Sequence, residues 1–291
     1  MLIEVLRKIR NSLLTDEAFL RSVFKKHTGY KLNLNNPRTL NEKLQWLKIN
    51  DRRSLLTKCA DKYEVRQYIE TKIGKQYLIP LLNVFESPEE ITLEKLPSQP
   101  FIIKANHTSG TFKIVRDKSK LDIEELKVII SSWLDSNYYD NTKEWQYKNI
   151  KPLIIVEKLL LDQNGNIPSD IKLACINGKV EIIHVDSNKE VKHLRNHYDT
   201  NWNALSFRWP REYGANKAIE KPKNLKQLID LAELLAEPFD FVRVDFYILH
   251  GSIYFGELTF HPTSGYGKFE PFEYDVKYGK ILKLTKARNE K

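Results

Sequence analysis

Two short stretches near the C-terminal end carry side chains that can do chemistry together. In residues 241–247, Arg243, Asp245 and Tyr247 alternate with Val242, Val244 and Phe246, the period-two pattern of a strand with one polar and one apolar face. In residues 254–260, Glu257 and Thr259 share a face and Leu258 and Phe260 lie behind them. Leu249 to Ser252, with Gly251 inside, reads as the hairpin turn between them. A three-residue loop, His250 to Ser252, sets Asp245 opposite Glu257 on one face. A two-residue loop sets the carboxylates on opposite faces, because a one-residue slip inverts the pattern. Facing carboxylates on apolar strands repel. A cation between them removes that cost, and oxygen ligands beside a hydroxyl suit Mg²⁺ holding phosphates better than zinc. The competing reading is a solvated face on which the carboxylates pair with Arg243 or nearby lysines.

Phosphate chemistry has a second candidate in residues 101–111. Lys104 ends an apolar strand, and Ala105, Asn106, His107, Thr108, Ser109, Gly110 and Thr111 follow. A small polar loop of this kind can turn its backbone N–H groups onto an anion. It lacks the Gly-Lys-Ser/Thr ending of a P-loop, and an ordinary polar turn beside an exposed lysine is the plainer alternative. Residues 152–161 form an apolar strand ending on Glu157 and Lys158. Its backbone can meet an adenine edge and Glu157 a ribose hydroxyl, or the pair simply marks where the strand reaches solvent. Asn177-Gly178 specifies a type I′ hairpin. On its first strand Lys172 shares a face with Ala174 and Ile176, so it either snorkels at an edge or meets an anion in a cleft. Residues 189–199 gather Lys189, Lys192, His193, Arg195 and His197, a basic loop for an anionic acceptor or a plain surface loop. The i,i+4 histidines lack the intervening glutamate of a zinc protease helix.

The elements that must position these groups fall into three stretches. Residues 1–80 read as helical: an amphipathic basic segment at 1–14, able to pack on its own domain or to lie on a membrane, then helices over 40–56 and 60–73 ending at Gly74. Residues 81–150 mix strands and helices, with a helix over 121–138. Strands dominate 151–291 apart from a helix at 225–235. A chain of 291 residues with 14 Tyr, 13 Phe and 5 Trp can bury a large core, as one domain or two lobes. Its net charge of +9 suits nucleotide phosphates, acidic sugars, nucleic acid or a lipid surface. Lysines are spread evenly and no nucleic-acid motif is visible, so nucleic acid is not expected. Two cysteines, Cys59 and Cys175, make neither a disulfide framework nor a cysteine metal site. No apolar run reaches a membrane span and no signal peptide is seen, which fits a reducing cytoplasm or the inner face of its membrane.

In order, Asp61-Lys62, residues 77–80, the Lys104 strand and loop, Val156-Glu157-Lys158, Arg243-Val244-Asp245 and Glu257-Leu258-Thr259 resemble the successive landmarks of the ATP-grasp superfamily. Within it, Trp46, Asp51-Arg52, residues 104–110 and residues 254–262 resemble the TupA-like branch, found in bacterial surface-polysaccharide (capsule or O-antigen) biosynthesis and often labelled glycosyltransferase. The resemblance spans about residues 40–285. It implies an α+β ATP-grasp fold, a nucleotide cleft between two α+β lobes, preceded by the helical N-terminal region. The smaller lobe would take residues 81–150 and the larger 151–291. It further implies Lys62 and Lys104 on the nucleotide phosphates and His107, Thr108, Ser109, Gly110 and Thr111 as the loop covering them. Glu157 and Lys158 would sit about adenine and ribose. Asp245, Glu257 and Thr259 would hold Mg²⁺, with Arg243 and Lys172 as catalytic cations. Threonine at 259 departs from the asparagine common there. The implied activity is an ATP- and Mg²⁺-dependent ligase joining an amine donor to an anionic sugar or other carboxylate acceptor, probed against a sugar kinase and a nucleotide-sugar glycosyltransferase. His107, His193 and His261 stand as unranked candidates for the base.

Overall fold

The computed structural model describes residues 14–187, 194–210, 218–285 and 288–289. The basic segment 1–13, His193 and its neighbours back to residue 188 therefore lie outside the described residues. The first helix, α1 (Asp16–Thr28), is capped by the Thr15 side chain and closed by Gly29 in the left-handed conformation, which glycine adopts without steric cost. The next, α2 (Leu40–Asn50), opens on a complete capping box between Thr39 and Glu42. The helix expected over 40–56 is in fact two. Asp51 and Arg52 leave helical geometry to form a short strand, β1, and α3 (Ser54–Ala60) resumes after it. The Arg53 guanidinium holds both Asp51 oxygens, at 2.7 and 2.6 Å, and fixes that break. A fourth helix, α4 (Val65–Lys72), ends before Gly74.

The smaller sheet has the order β2-β5-β3-β4, from Leu81–Phe85, Ile154–Lys158, Phe101–Ala105 and Phe112–Val115, all antiparallel. Its inner face packs Phe101, Ile103, Ile154 and Val156 against Leu126 and Ile130 of α5 (Ile123–Leu134). The strand after residue 150 thus hydrogen-bonds into this sheet, and the chain leaves it beyond Lys158. A short helix, α6 (Tyr138–Thr142), follows α5.

The larger sheet has the order β10-β9-β6-β7-β8 and is also antiparallel throughout. Its strands are β6 (Asp170–Ile176), β7 (Lys179–Ser187), β8 (Leu194–Tyr198), β9 (Phe241–Leu249) and β10 (Ser252–Thr259). Asn177 and Gly178, both at positive φ, make the expected tight turn between β6 and β7. Alternation sends Leu173, Cys175, Val242, Val244 and Phe246 into a core with α7 (Leu225–Ala236). The opposite face is apolar at one end only, where Ala174, Ile176, Ile182 and Phe241 meet α2, Trp209, Phe269 and α8 (Glu273–Ile281). The rest of that face is polar. A final strand, β11 (Arg288–Asn289), runs parallel to β1. Among the described residues no helix is long and apolar enough to cross a membrane.

Candidate functional site

Asp245 and Glu257 do face each other, but by a different route from the three-residue loop. The β9–β10 turn has two residues, His250 and Gly251, both at positive φ, and Leu249 pairs with Ser252. Left regular, that register would separate the carboxylates. A bulge at Gly256 takes up one residue, so Phe255 pairs with Phe246 and Glu257 with Asp245. The position is crowded, since a Cβ would lie 3.1 Å from both the Asp245 carbonyl oxygen and the Tyr247 ring.

The polar face of the larger sheet is ordered in rows. Glu257, Asp245, Lys172, His184 and His197 lie side by side across all five strands, a ladder roughly 19 Å long at the usual strand spacing. Flanking it are Arg243 with Thr259, and Asp170, Asp186 and Arg195. Arg243 grips Asp245 with two bonds of 2.6 and 2.7 Å, and its Nη2 also donates to Glu257 (2.8 Å) and Thr259 (3.0 Å). The Thr259 hydroxyl donates to the same Glu257 oxygen at 3.0 Å. Lys172 does not snorkel at an edge, since β6 lies between β9 and β7, and the anions it meets are carboxylates of its own sheet. Its ammonium lies 2.5 Å from Asp245, 2.9 Å from Asp170 and 3.9 Å from Asp186. Burial lowers its affinity for a proton, but Asp245 and Asp170 outweigh that and the net shift is upward. Arg195 is bidentate on Asp186, at 2.5 and 2.9 Å, so on this face it is committed to a carboxylate.

Glu257 is the accessible member of the set. Its side chain is 39% exposed where Asp245 is 4%, and both of its bonds use Oε1. Burial pushes its pKa up, but Arg243, Lys172 and Lys62 overcome that and bring it down to about 2. Across the cleft stand the lysines. Lys104 pairs with Glu157 at 2.6 Å, and Lys62 donates to the Thr108 carbonyl. Desolvation pulls the Lys62 pKa down to about 8, with Lys104 adding to the effect and Glu257 opposing it. Lys62, Arg66, Lys104, Glu157, Phe255 and Glu257 line the cleft between the sheets, which a bridge from Leu78 to Phe255 joins along one side.

Several residues assigned from sequence behave differently. Glu157 does not offer a free carboxylate to a ribose: one oxygen holds Lys104 and the other Arg66, at 3.1 Å. Lys158 is exposed on the opposite side of the strand from buried Glu157. His107 is 3% exposed and turned into the protein, with Nδ1 at 3.0 Å from Asn106 Oδ1 and Nε2 at 3.1 Å from the Trp133 carbonyl. It ties the loop to the end of α5, with both ring nitrogens engaged inside the protein. His261 faces Gln146 through Nδ1, 3.1 Å away, and is buried. Thr108 is buried with its hydroxyl unpartnered, whereas Ser109 and Gly110 are exposed between β3 and β4. Asn106 anchors the loop, bonding Asp61, the Lys151 carbonyl and the Leu153 N–H. His197 lies on a strand, not on a helix. Sequence reasoning missed Arg66, Asp186 and His184. The only available signal was the alternation that sets His184 and Asp186 on one face of β7.

Two antiparallel sheets, each with helices on it, clasping a cleft lined by lysines on one side and by an Arg-Asp-Glu-Thr set on the other define an ATP-grasp protein. The chain matches the model of the TupA-like ATP-grasp family over residues 42–283 and belongs to that family. No curated protein matches it. Among solved structures, it is similar to D-alanine–D-alanine ligase from Bacillus anthracis (17% identity, TM-score 0.42), over 70% of this chain and 58% of that one. It is similar at 16% identity and TM-score 0.45 to the ADP complex of purK, N5-carboxyaminoimidazole ribonucleotide synthetase, over 75% of this chain and 50% of that one. The D-alanine–D-alanine ligase from Helicobacter pylori is 15% identical with a TM-score of 0.46, over 85% and 68%. The chain thus spans 58% and 50% of the lengths of the first two.

Proposed function

We propose that this protein is an ATP-dependent ligase that activates a carboxylate as an acyl phosphate and passes the acyl group to an amine. The observation that carries the reading is Arg243 in simultaneous contact with Asp245, Glu257 and Thr259, on the cleft that also holds Lys62 and Lys104. Such a cluster places fixed positive charge where a polyanion and an attacking carboxylate must approach each other. Lys62 and Lys104 would hold the nucleotide phosphates. Arriving phosphates compete with Glu157 for Lys104, so that carboxylate keeps the lysine ordered in the open cleft. Arg243 and Lys172 would face the transferring phosphoryl group, and Tyr138, whose hydroxyl contacts Ser109, would help close the phosphate loop against water.

The residues present fit Mg²⁺. Asp245, Glu257 and Thr259 are oxygen donors only, and among the described residues no set of three or more His, Cys, Asp or Glu side chains is arranged to hold a metal. A hard ion with few protein ligands takes the rest of its six oxygens from phosphates and water. Glu257 and Thr259 would be the accessible ligands, with Asp245 joining as Arg243 turns toward phosphate. When bound, the ion neutralises charge on the phosphates.

The proposed acceptor is a uronic acid or related anionic sugar of a bacterial surface-polysaccharide pathway. The test is incubation with ATP, Mg²⁺ and candidate carboxylates in hydroxylamine. Hydroxamate formation that Lys104→Ala abolishes supports the ligase. ADP release with a sugar phosphate and no hydroxamate points to a kinase, and turnover of a nucleotide sugar without ATP points to a glycosyltransferase.

A further inference from the structure

The two facing carboxylates of the cleft differ in what they have left to offer. Asp245 accepts from cations on both oxygens: Oδ1 from Arg243 Nε at 2.6 Å, and Oδ2 from Arg243 Nη2 at 2.7 Å and Lys172 Nζ at 2.5 Å. The Lys172 ammonium also lies 2.9 Å from Asp170 and 3.9 Å from Asp186. Three carboxylates thus converge on one ammonium, a donor set of the kind a hard divalent ion takes. Lys172 has no comparable place to go, because β6 is an inner strand and the side chain is buried against its partners. Glu257 is different. Its Oε1 holds Arg243 and Thr259, while Oε2 has no hydrogen bond among the described residues and the side chain reaches the cleft.

A pair of carboxylates in a phosphate-handling cleft can hold one divalent ion or two, the two then lying about 4 Å apart. A second ion here would have to take Asp245 Oδ2 from Lys172. That would strand a buried ammonium, stripped of its partner, within a few ångströms of a doubly charged cation, where low dielectric makes the repulsion severe. We infer that Lys172 is a built-in cation standing where a second metal ion would bind, and that it limits the site to one divalent ion at the Glu257 end. The inference rests on the proposed nucleotide reading, since that ion would arrive with the phosphates. One ion can still meet both carboxylates. Residues opposite each other on paired strands have Cβ atoms about 5 Å apart, so Glu257 would contribute its open oxygen and Asp245 its Oδ1 once Arg243 turns toward phosphate. Asp245 Oδ2 stays with Lys172 throughout. An ammonium fixed in the sheet also differs from a metal ion in being present before the nucleotide. Full nucleotide affinity is then reached with the one-to-one complex of Mg²⁺ and ATP, and excess free Mg²⁺ adds nothing.

The test counts Mn²⁺, a paramagnetic stand-in for Mg²⁺, on the full chain by electron paramagnetic resonance, alone and with a non-hydrolysable ATP analogue. The expected result with the analogue is one ion per chain and a spectrum without coupling between ions. Lys172→Ala should take a second ion and show the coupled spectrum of a close pair. Lys172→Arg keeps the charge and should hold one, and Glu257→Gln should bind its ion at least tenfold more weakly. Two ions on the wild-type chain with the analogue bound overturn the inference and leave the ligase reading standing. A Lys172→Ala chain that binds the analogue with a single ion also overturns it, because the lysine is then not what excludes the second. Should that variant fail to fold, the wild-type count decides without it. An analogue that never binds, beside one Mn²⁺ on the chain alone, overturns the ligase reading and leaves the single-ion site standing. No Mn²⁺ held in either condition overturns the inference.

Discussion

Lys62 stands between two opposing demands: burial strips its ammonium of water, while Glu257 and Asp61 reward keeping the charge. With its pKa near 8, the free protein holds this lysine charged below that pH and loses the charge above it, whereas bound phosphates favour the protonated form. ATP affinity is therefore expected to fall as pH rises through 8, by roughly tenfold for the loss of one charge-assisted contact, with proton uptake on binding above pH 8. Calorimetry in buffers of differing ionisation enthalpy measures both, and Lys62→Met should bind weakly at every pH without the fall. Glu257→Gln makes a second residue-level prediction. It leaves Arg243 paired with Asp245 but removes the accessible carboxylate, so the Mg²⁺ dependence of ATP binding should flatten while binding without metal is retained. At this scale residue type conveyed which charges the fold brings near one another, with Asp245 opposite Glu257 and Lys104 on the same cleft as Glu257. It misled where partners decide. Glu157 and His107 read as free functional groups, and both are consumed by neighbours contributed from residues 66, 104 and 133.

At the level of elements, the β9–β10 hairpin carries a single inserted residue. Deleting Gly256 would remove the bulge yet leave Phe255 opposite Phe246 and Glu257 opposite Asp245, so the two carboxylates should still face each other on a regular ladder. The expected result is Mg²⁺-dependent ATP binding that survives the deletion, with stability changed by the loss of the local bend. Gly256→Val keeps the register, but its side chain is forced against the Asp245 carbonyl and the Tyr247 ring, at a cost of about 1–3 kcal/mol. Urea unfolding beside ATP titration separates the two effects. The hairpin shows what sequence patterning conveys and what it does not. Alternation gave both strands and their polar faces, and the Gly251 and Gly178 turns were visible. The bulge was not, because Gly256 looks like any glycine until the facing strand is in place. Strand order was equally hidden: nothing local says that β6 inserts between β7 and β9, yet that order sets Lys172 beside Asp245 and His184. The break at Asp51-Arg52 escaped for the same reason, since it is held by a tertiary setting around Arg53, which also bonds the Pro238 carbonyl.

Over the whole molecule, the region that precedes the smaller sheet is bound to the chain's far end. Asp275 on α8 accepts from Tyr30, from the Asn41 backbone and from the Asn41 amide, at 2.8, 3.0 and 2.9 Å. Beside it, Gly279 brings α8 so close to the start of α2 that a Cβ would overlap the Arg38 carbonyl and lie 2.6 Å from the Thr39 carbonyl carbon. Backbone cannot yield as a flexible side chain would, so Gly279→Ala should destabilise by about 3 kcal/mol while leaving the distant nucleotide cleft intact in any molecule that folds. Asp275 makes this junction sensitive to pH. Burial raises its pKa to about 6, against the pull of its Asn41 and Tyr30 hydrogen bonds, and its value in the unfolded chain is near 3.8. Between those values the folded protein keeps a proton that the unfolded chain has lost. This contribution is therefore fully present below pH 4 and disappears as pH rises through 6, a change of about 2–3 kcal/mol. Asp275→Asn mimics the protonated acid and should abolish that dependence. The decisive quantity is the difference in unfolding free energy between wild type and variant at pH 4, 5, 6 and 7. A difference that widens in favour of asparagine with rising pH identifies Asp275 as the titrating group, and a constant difference assigns the pH sensitivity elsewhere.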